Sequence, residues 1–352
     1  MNPKFLSASA VDQERMPRRI LVCLDRSGVS EACLPYAVLL AKAFGSKVTL
    51  VHVLEARARA HHLEATDALA WEISTQEAQG YLNRIQKKLA HELDAEVTAR
   101  LEEGSPDQRI VDLAKEVDAD VTVLGSHGEG RAADKSLGNT AQRVLAATQR
   151  SVLIVPIDIA NLANSSVNTS AGRAAAARGQ RSVLVPLDGT TSAERVLPLA
   201  SRLALALGAK LTLVHVVEEP LASNVLHAED LELAKALTGR LQASAKRYLG
   251  ALILRGAKLG WPETHALVSS HRNTRKCLLE ISGSDDAELV VISAHGSTCD
   301  SYRSFGSVAA YLLTHSNLPV LVLQDLPARS IPEEDVTAPP SSLRANYSLD
   351  LA

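Results

Sequence analysis

Short continuous apolar runs recur along the chain. Each is followed by a stretch whose apolar positions fall three and four apart. The first run, 19–25 (RILVCLD), ends in Asp25 and has the character of a central parallel strand. Ser30 is then placed to cap a helix carrying Leu34, Ala37, Val38 and Ala41 on one face, and Gly45 ends it. A second strand is predicted over 47–53 (KVTLVHV), a helix over 71–93 and a weaker third strand over 95–101. A helix follows over 107–117, with Pro106 preset for its first turn. Residues 55–70 show no sustained pattern. A fourth strand is expected over 120–124 and a fifth over 151–155. The helix between them, 139–148, sets Val144, Leu145 and Thr148 on the side of Ala141. Alternation of strand and helix with short connections implies a parallel sheet with helices on both faces.

The pattern then changes and restarts. Residues 157–180 are rich in Ala, Ser, Asn and Gly, show no core face and read as a linker. Beyond them the first unit repeats. Val185-Pro186-Leu187-Asp188 matches Val22-Cys23-Leu24-Asp25, and Leu213-Val214-His215-Val216 matches Leu50-Val51-His52-Val53, both displaced by 163. His295-Gly296 matches His127-Gly128 at 168, as do Gly306 with Gly138 and Val320 with Val152. One net insertion of five residues between Val216 and Val290, around the long second helix, accounts for both offsets. The expected organisation is an arm over 1–17, a domain over 18–156, the linker, a second domain over 181–324, and a Pro-, Ser- and acid-containing disordered tail over 325–352.

Composition narrows the class. Length 352 suits two domains. Aromatic residues are 3%, so Val, Leu, Ile and Ala must build the core. A net charge of -3 implies no basic face and argues against nucleic acid as partner. The four cysteines form no CxxC pair and no Cys/His cluster of zinc spacing. No apolar run has the length of a membrane helix, and the first residues carry no signal-peptide core, so a cytoplasmic protein without membrane insertion is expected.

The chemistry gathers after the fourth strand, where Gly125, Gly128 and Gly138 are spaced G-x2-G-x9-G and lead straight into a helix. In an open parallel sheet, ligands bind beyond the carboxyl ends of the strands at the point where strand order reverses. For order 3-2-1-4-5 that point lies between strands 1 and 4, beside Asp25 and this loop. Glycine allows close backbone approach, and a helix N-terminus suits phosphate. Asn139 and Thr140 are placed to cap that helix. Arg131 and Lys135 are candidates to neutralise phosphate, and His127 and His295 to touch it. His52 and His215 are strand-end histidines of structural character, and Cys23 reads as a small buried hydrophobe. The exposed thiol candidate is Cys299.

These residues carry a resemblance. The element order, the apolar run ending in Asp, the Leu-Val-His-Val strand and the glycine spacing resemble the universal stress protein family, and the chain looks like a tandem member of it. The resemblance implies two five-stranded parallel sheets of order 3-2-1-4-5 with an adenine nucleotide alpha hydrolase-like fold. It implies a stress-response regulator that binds ATP or another adenine nucleotide, with or without Mg2+. Asp25 and Asp188 would lie near ribose or phosphates, and the backbones of Val53 and Val216 would meet adenine. Gly125, Ser126, His127, Gly128, Gly138, Asn139 and Thr140 would surround the nucleotide in the first domain. Ser293, Gly296, Gly306, Ser307 and Val308 would do so in the second. The family's full motif has Ser or Thr after the last glycine. Here Asn139 stands at that place, and Ser293 replaces the first glycine of the second copy, which makes the first domain the better candidate. The resemblance further implies pairing of strand 151–155 with strand 319–323, an intramolecular pseudo-dimer, and leaves a further homodimer open. An unknown protein partner is expected. Two other readings stand beside this one: a nucleotide-free scaffold for protein interaction, and a slow ATPase or autophosphorylating protein. No general base faces a nucleophile in the sequence pattern, so efficient catalysis is not expected.

Overall fold

A computed structural model describes residues 16–55, 65–128, 137–156, 181–219, 228–283, 286–296 and 304–324. The expected linker, the tail, Arg131, Lys135 and Cys299 lie outside the described residues. The first half contains β1 (Arg19–Cys23), α1 (Gly28–Glu31), α2 (Leu34–Phe44), β2 (Lys47–Leu54), α3 (Ala65–Glu92) and β3 (Val97–Glu103). It continues with α4 (Pro106–Glu116), β4 (Val121–Gly125), α5 (Asn139–Ala147) and β5 (Ser151–Val155). The second half repeats the series as β6 (Ser182–Pro186), α6 (Thr191–Glu194), α7 (Leu197–Leu207), β7 (Lys210–Glu218), α8 (Ala228–Lys258) and β8 (Thr264–His271). It closes with α9 (Thr274–Ser282), β9 (Ala287–Ser293), α10 (Ser307–His315) and β10 (Val320–Leu323).

The strands lie in the order β3-β2-β1-β4-β5-β10-β9-β6-β7-β8. Each half therefore runs 3-2-1-4-5. Every pairing is parallel except that of β5 with β10, where Val152, Leu153 and Ile154 face Val322, Leu321 and Val320 in antiparallel register. All five residues of β5 are buried, so an uncovered edge at this strand would be a liability; β10 closes it. The two five-stranded sheets thus join into one of ten strands.

Both sheet faces are apolar, as the continuous Val, Leu and Ile runs require. One core layer joins β1 residues Ile20 and Val22 to the faces of α2, α3, α7 and α8, through Leu40, Leu82, Leu203 and Leu249. The other joins Leu21 and Val51 to α4, α5, α9 and α10, through Leu113, Val144, Leu278 and Leu312. Alternate residues of β1 feed opposite layers, the period-two geometry of a strand. Both layers draw residues from both halves.

Local chemistry shifts some boundaries. Ser27, not Ser30, caps the first helix, which is a single turn; its hydroxyl accepts the Ser30 N–H. Ser30 is buried instead, its hydroxyl accepting the Asp25 N–H at 3.1 Å and donating to the Ser27 carbonyl at 2.9 Å. Pro35 then opens α2 as a separate helix, since its ring cannot continue the turn before it. The unpatterned stretch before Trp71 supplies the first turns of α3, which begins at Ala65. By the third strand four of the five extra residues are in place: Val48 faces Val97 in one half and Leu211 faces Thr264 in the other.

Candidate functional site

Two clefts open at the carboxyl ends of the strands, one per half. The first has a volume of about 340 Å³. Its floor is the end of β1, Cys23 to Asp25. One wall is Val51 and Val53 of β2 with Glu55 just beyond it, and the opposite wall is Leu124 to Gly128 at the end of β4. Gly138 to Ala141 at the start of α5, with Pro106 and Ile110 of α4, complete it. Asp25, Val53, Gly125, Ser126, His127, Gly128, Gly138, Asn139 and Thr140 all line it. The second cleft, about 620 Å³, gathers Asp188, Val216, Ser293, Gly296, Gly306, Ser307 and Val308 in equivalent places. It also takes in His215, His295, Arg272 and Arg275.

The aspartate and the second glycine of each loop are fitted to one another. Asp25 Oδ1 accepts the Ser27 N–H at 2.9 Å and its hydroxyl at 2.5 Å. That turn fixes the carboxylate so that Oδ2 lies 2.3 Å from the point a Cβ on Gly128 would occupy. Asp188 repeats it. Its Oδ1 accepts from Thr190 N–H at 2.9 Å and hydroxyl at 2.6 Å, and Oδ2 lies 2.2 Å from the Cβ position of Gly296. A Cβ at either place would require the carboxylate to shift. Gly138 is tight for another reason: a Cβ there would stand 3.3 Å from the Ser126 carbonyl and 3.4 Å from His127 Cα. The residue after each aspartate has positive φ, 71° at Arg26 and 87° at Gly189, so the second half uses the residue suited to it.

The helix caps differ from expectation. Gly138 and Gly306 are themselves the N-caps, and neither helix has a side-chain cap. Asn139 is the first residue inside α5, so it caps nothing and the Asn-for-Ser exchange alters no cap. The uncapped first turns of α5 and α10 present their N–H groups at the clefts. Ser293 turns its hydroxyl onto the His295 carbonyl, donating at 2.7 Å, and the cleft it lines is the larger of the two.

Backbone is also available at the opposite wall. The β1–β2 register ends at Cys23–Val51, whereas β2 runs on to Leu54. On its β1 side, Val53 therefore faces the cleft and no strand. The same holds for Val216, because β6 ends opposite Val214.

The histidines divide. His52 and His215 each donate from Nδ1 to a carbonyl, Leu24 and Leu187, at 2.8 Å, tying the second strand to the end of the first. Burial lowers the pKa of His52 and keeps it neutral. His127 is buried with Nδ1 3.1 Å from the Ser126 hydroxyl, and its Nε2 has no hydrogen-bond partner among the described residues. Cys23 reaches the cleft floor, but burial pushes its thiol up to about 12, and Cys33 is raised as well. Neither has thiolate character. Among the described residues no three His, Cys, Asp or Glu side chains are grouped so as to hold a metal ion. No described helix is long and apolar enough to cross a membrane.

Sequence reasoning missed the third-strand side of both clefts: Pro106 and Ile110 in one, Arg272, Asn273, Thr274, Arg275 and Leu278 in the other. The signal was present, since the loop after a third parallel strand also lies at the carboxyl edge.

A model of the universal stress protein family matches residues 16–156 and again 180–324. The chain belongs to the universal stress protein family. A universal stress protein of Methanocaldococcus jannaschii is 29% identical over 143 residues, spanning 40% of this chain and 84% of that protein. A Staphylococcus aureus (strain USA300) protein named for the same family is 30% identical over 139 residues, 39% of this chain and 83% of its own length. Each such relative matches one half, which fits a tandem chain. Among solved structures, a universal stress protein from Archaeoglobus fulgidus has a TM-score of 0.56 at 21% identity, covering 87% of this chain and 98% of that one. A functionally unknown protein from Pseudomonas aeruginosa PAO1 has a TM-score of 0.59 at 15% identity, covering 89% and 94%. These two likenesses extend over both halves and show the fold.

Proposed function

We propose that this universal stress protein binds an adenine nucleotide in its first cleft and acts in the cytoplasm as a stress-linked regulator. The observation that carries the reading is the cradle around Gly128 and Gly138. A side chain at either glycine would meet the Asp25 carboxylate or the loop backbone, and the space is left to backbone instead. An uncapped helix start supplies N–H donors for phosphate, and the Nε2 of buried His127 has no hydrogen-bond partner among the described residues. Asp25 is set to accept from ribose hydroxyls, and the open backbone edge of Val53 suits the polar rim of adenine. Val51, Ile110 and Leu124 supply the apolar contact a base needs. The volume lies within the range of small-molecule sites, roughly 300–1,000 Å³. Mg2+ would enter with the phosphates. The second cleft repeats these elements and is proposed as a further site, and the β5–β10 pairing supports an intramolecular pseudo-dimer presented to a protein partner.

The test is calorimetric titration of the full chain with AMP, ADP and ATP, alongside mass spectrometry of the denatured protein for carried nucleotide. Saturable heat and a raised melting temperature are expected. Silence at millimolar concentrations of all three ligands would overturn the reading.

A further inference from the structure

The two clefts are built on one plan but differ in charge at the third-strand side. Equivalent positions there are Gly104 and Arg272, Asp107 and Arg275, and Arg143 and Tyr311. In the first half Asp107 lies on a shelf continuous with the cleft, accepts the Ser105 hydroxyl, and stands 3.9 Å from Arg143. In the second half both Arg272 and Arg275 line the cleft itself, and both are exposed. The guanidinium of Arg275 rests over the Tyr311 ring, 5.6 Å from its centre, and among the described residues neither arginine is ion-paired. Glu55 and Glu218 occupy matching places. Among the described residues, Glu55 and Asp107 against Arg143 leave one negative charge on the first rim. Glu218 against Arg272 and Arg275 leaves one positive charge on the second. In the sequence, acidic and basic residues balance in 129–136 and in 297–303.

We infer that the second cleft selects the polyphosphate form of a nucleotide over its monophosphate, and that Arg272 and Arg275 determine that selectivity. The inference rests on the nucleotide reading above. A guanidinium meets phosphate oxygens in bidentate fashion, and stacking on Tyr311 holds that of Arg275 in place without neutralising it. The field of two arginines in a concave site acts most strongly on the ligand with most charge. The larger volume admits the longer ligand. The first cleft, with its negative rim, discriminates less.

Isothermal titration of AMP and ATP into the full chain tests this, with each cleft isolated by Gly296→Val or Gly128→Val. With only the second cleft open, the ATP-to-AMP affinity ratio should exceed that of the first by about tenfold, the effect of two exposed charge contacts. R272Q/R275Q should remove that excess by lowering ATP affinity more than AMP affinity, and added salt should reduce it. Should a glycine variant fail to fold, two-site titrations of the wild type and of R272Q/R275Q give the same comparison. Equal ratios in the two clefts, or a ratio untouched by R272Q/R275Q, would overturn the inference and leave nucleotide binding standing. No heat from either ligand in the wild type would overturn both.

Discussion

Gly128→Ala isolates the fit between loop and carboxylate. The new Cβ would lie 2.3 Å from Asp25 Oδ2, where about 3.5 Å is needed. The carboxylate must move by more than about 1 Å. Such a shift is cheap for a free side-chain end, but Asp25 is pinned through Oδ1 to Ser27 N–H and hydroxyl. Losing both bonds, at about 1 kcal/mol each for a half-buried pair, gives a cost near 2 kcal/mol. At about 2–4 °C per kcal/mol for a domain-sized unit, the melting temperature should fall by roughly 4–8 °C. Asp25→Ala removes the same bonds and should cost about the same. The double variant should then cost no more than Asp25→Ala alone, a coupling of about 2 kcal/mol in the cycle. Urea unfolding midpoints with unchanged slopes provide the second readout. If Gly128→Ala costs as much in the Asp25→Ala background as in the wild type, the carboxylate is not the obstacle and the account of this glycine is wrong. Gly296→Ala with Asp188→Ala should repeat the result, because Thr190 holds Asp188 as Ser27 holds Asp25.

Burial lowers the pKa of His52, so the unfolded chain binds more protons there than the folded one. The stability this contributes is complete above the ordinary value of 6.5 and is lost as pH falls through the lower folded value. His52→Gln should flatten the fall in urea midpoint on acidification; an unaltered profile would refute the assignment. The thiols of Cys23, Cys33 and Cys277 are buried, and that of Cys23 is held near 12. Native Cys299→Ser protein should therefore react with a thiol reagent at pH 8 only after unfolding, and one rapidly labelled cysteine would contradict the burial.

Much of the fold was legible because the sequence says it twice. Strand runs and the repeat follow from period and constant offsets, whereas the order 3-2-1-4-5 and the pairing of the two last strands come from the family resemblance. What escaped was detail set by contacts distant in sequence or by competition within one turn. Ser27 and Ser30 are both credible caps on propensity; Asp25, which engages both, decides which hydroxyl faces the helix. Asn139 looked like a cap because Asn favours that role, yet Gly138 takes the extended cap conformation and pushes Asn139 into the first turn. The Asp25–Gly128 and Asp188–Gly296 contacts join residues more than a hundred positions apart, and periodicity carries no trace of them. Arg272 and Arg275 flank the start of α9 and belong to no motif or apolar period. Only the closing of the sheet brings them to the second cleft.

The antiparallel junction of β5 and β10 has an evolutionary consequence. It makes the strands of the two halves point in opposite directions, so the clefts open on opposite edges of the ten-stranded sheet. In a symmetric pair of separate chains, any substitution at one site appears at the other, and a change that suits one ligand is imposed on both. A covalent duplicate is released from that constraint. Asp107 and Arg275 are the same ancestral position free to take opposite signs, and the halves can specialise while the shared sheet keeps them one molecule.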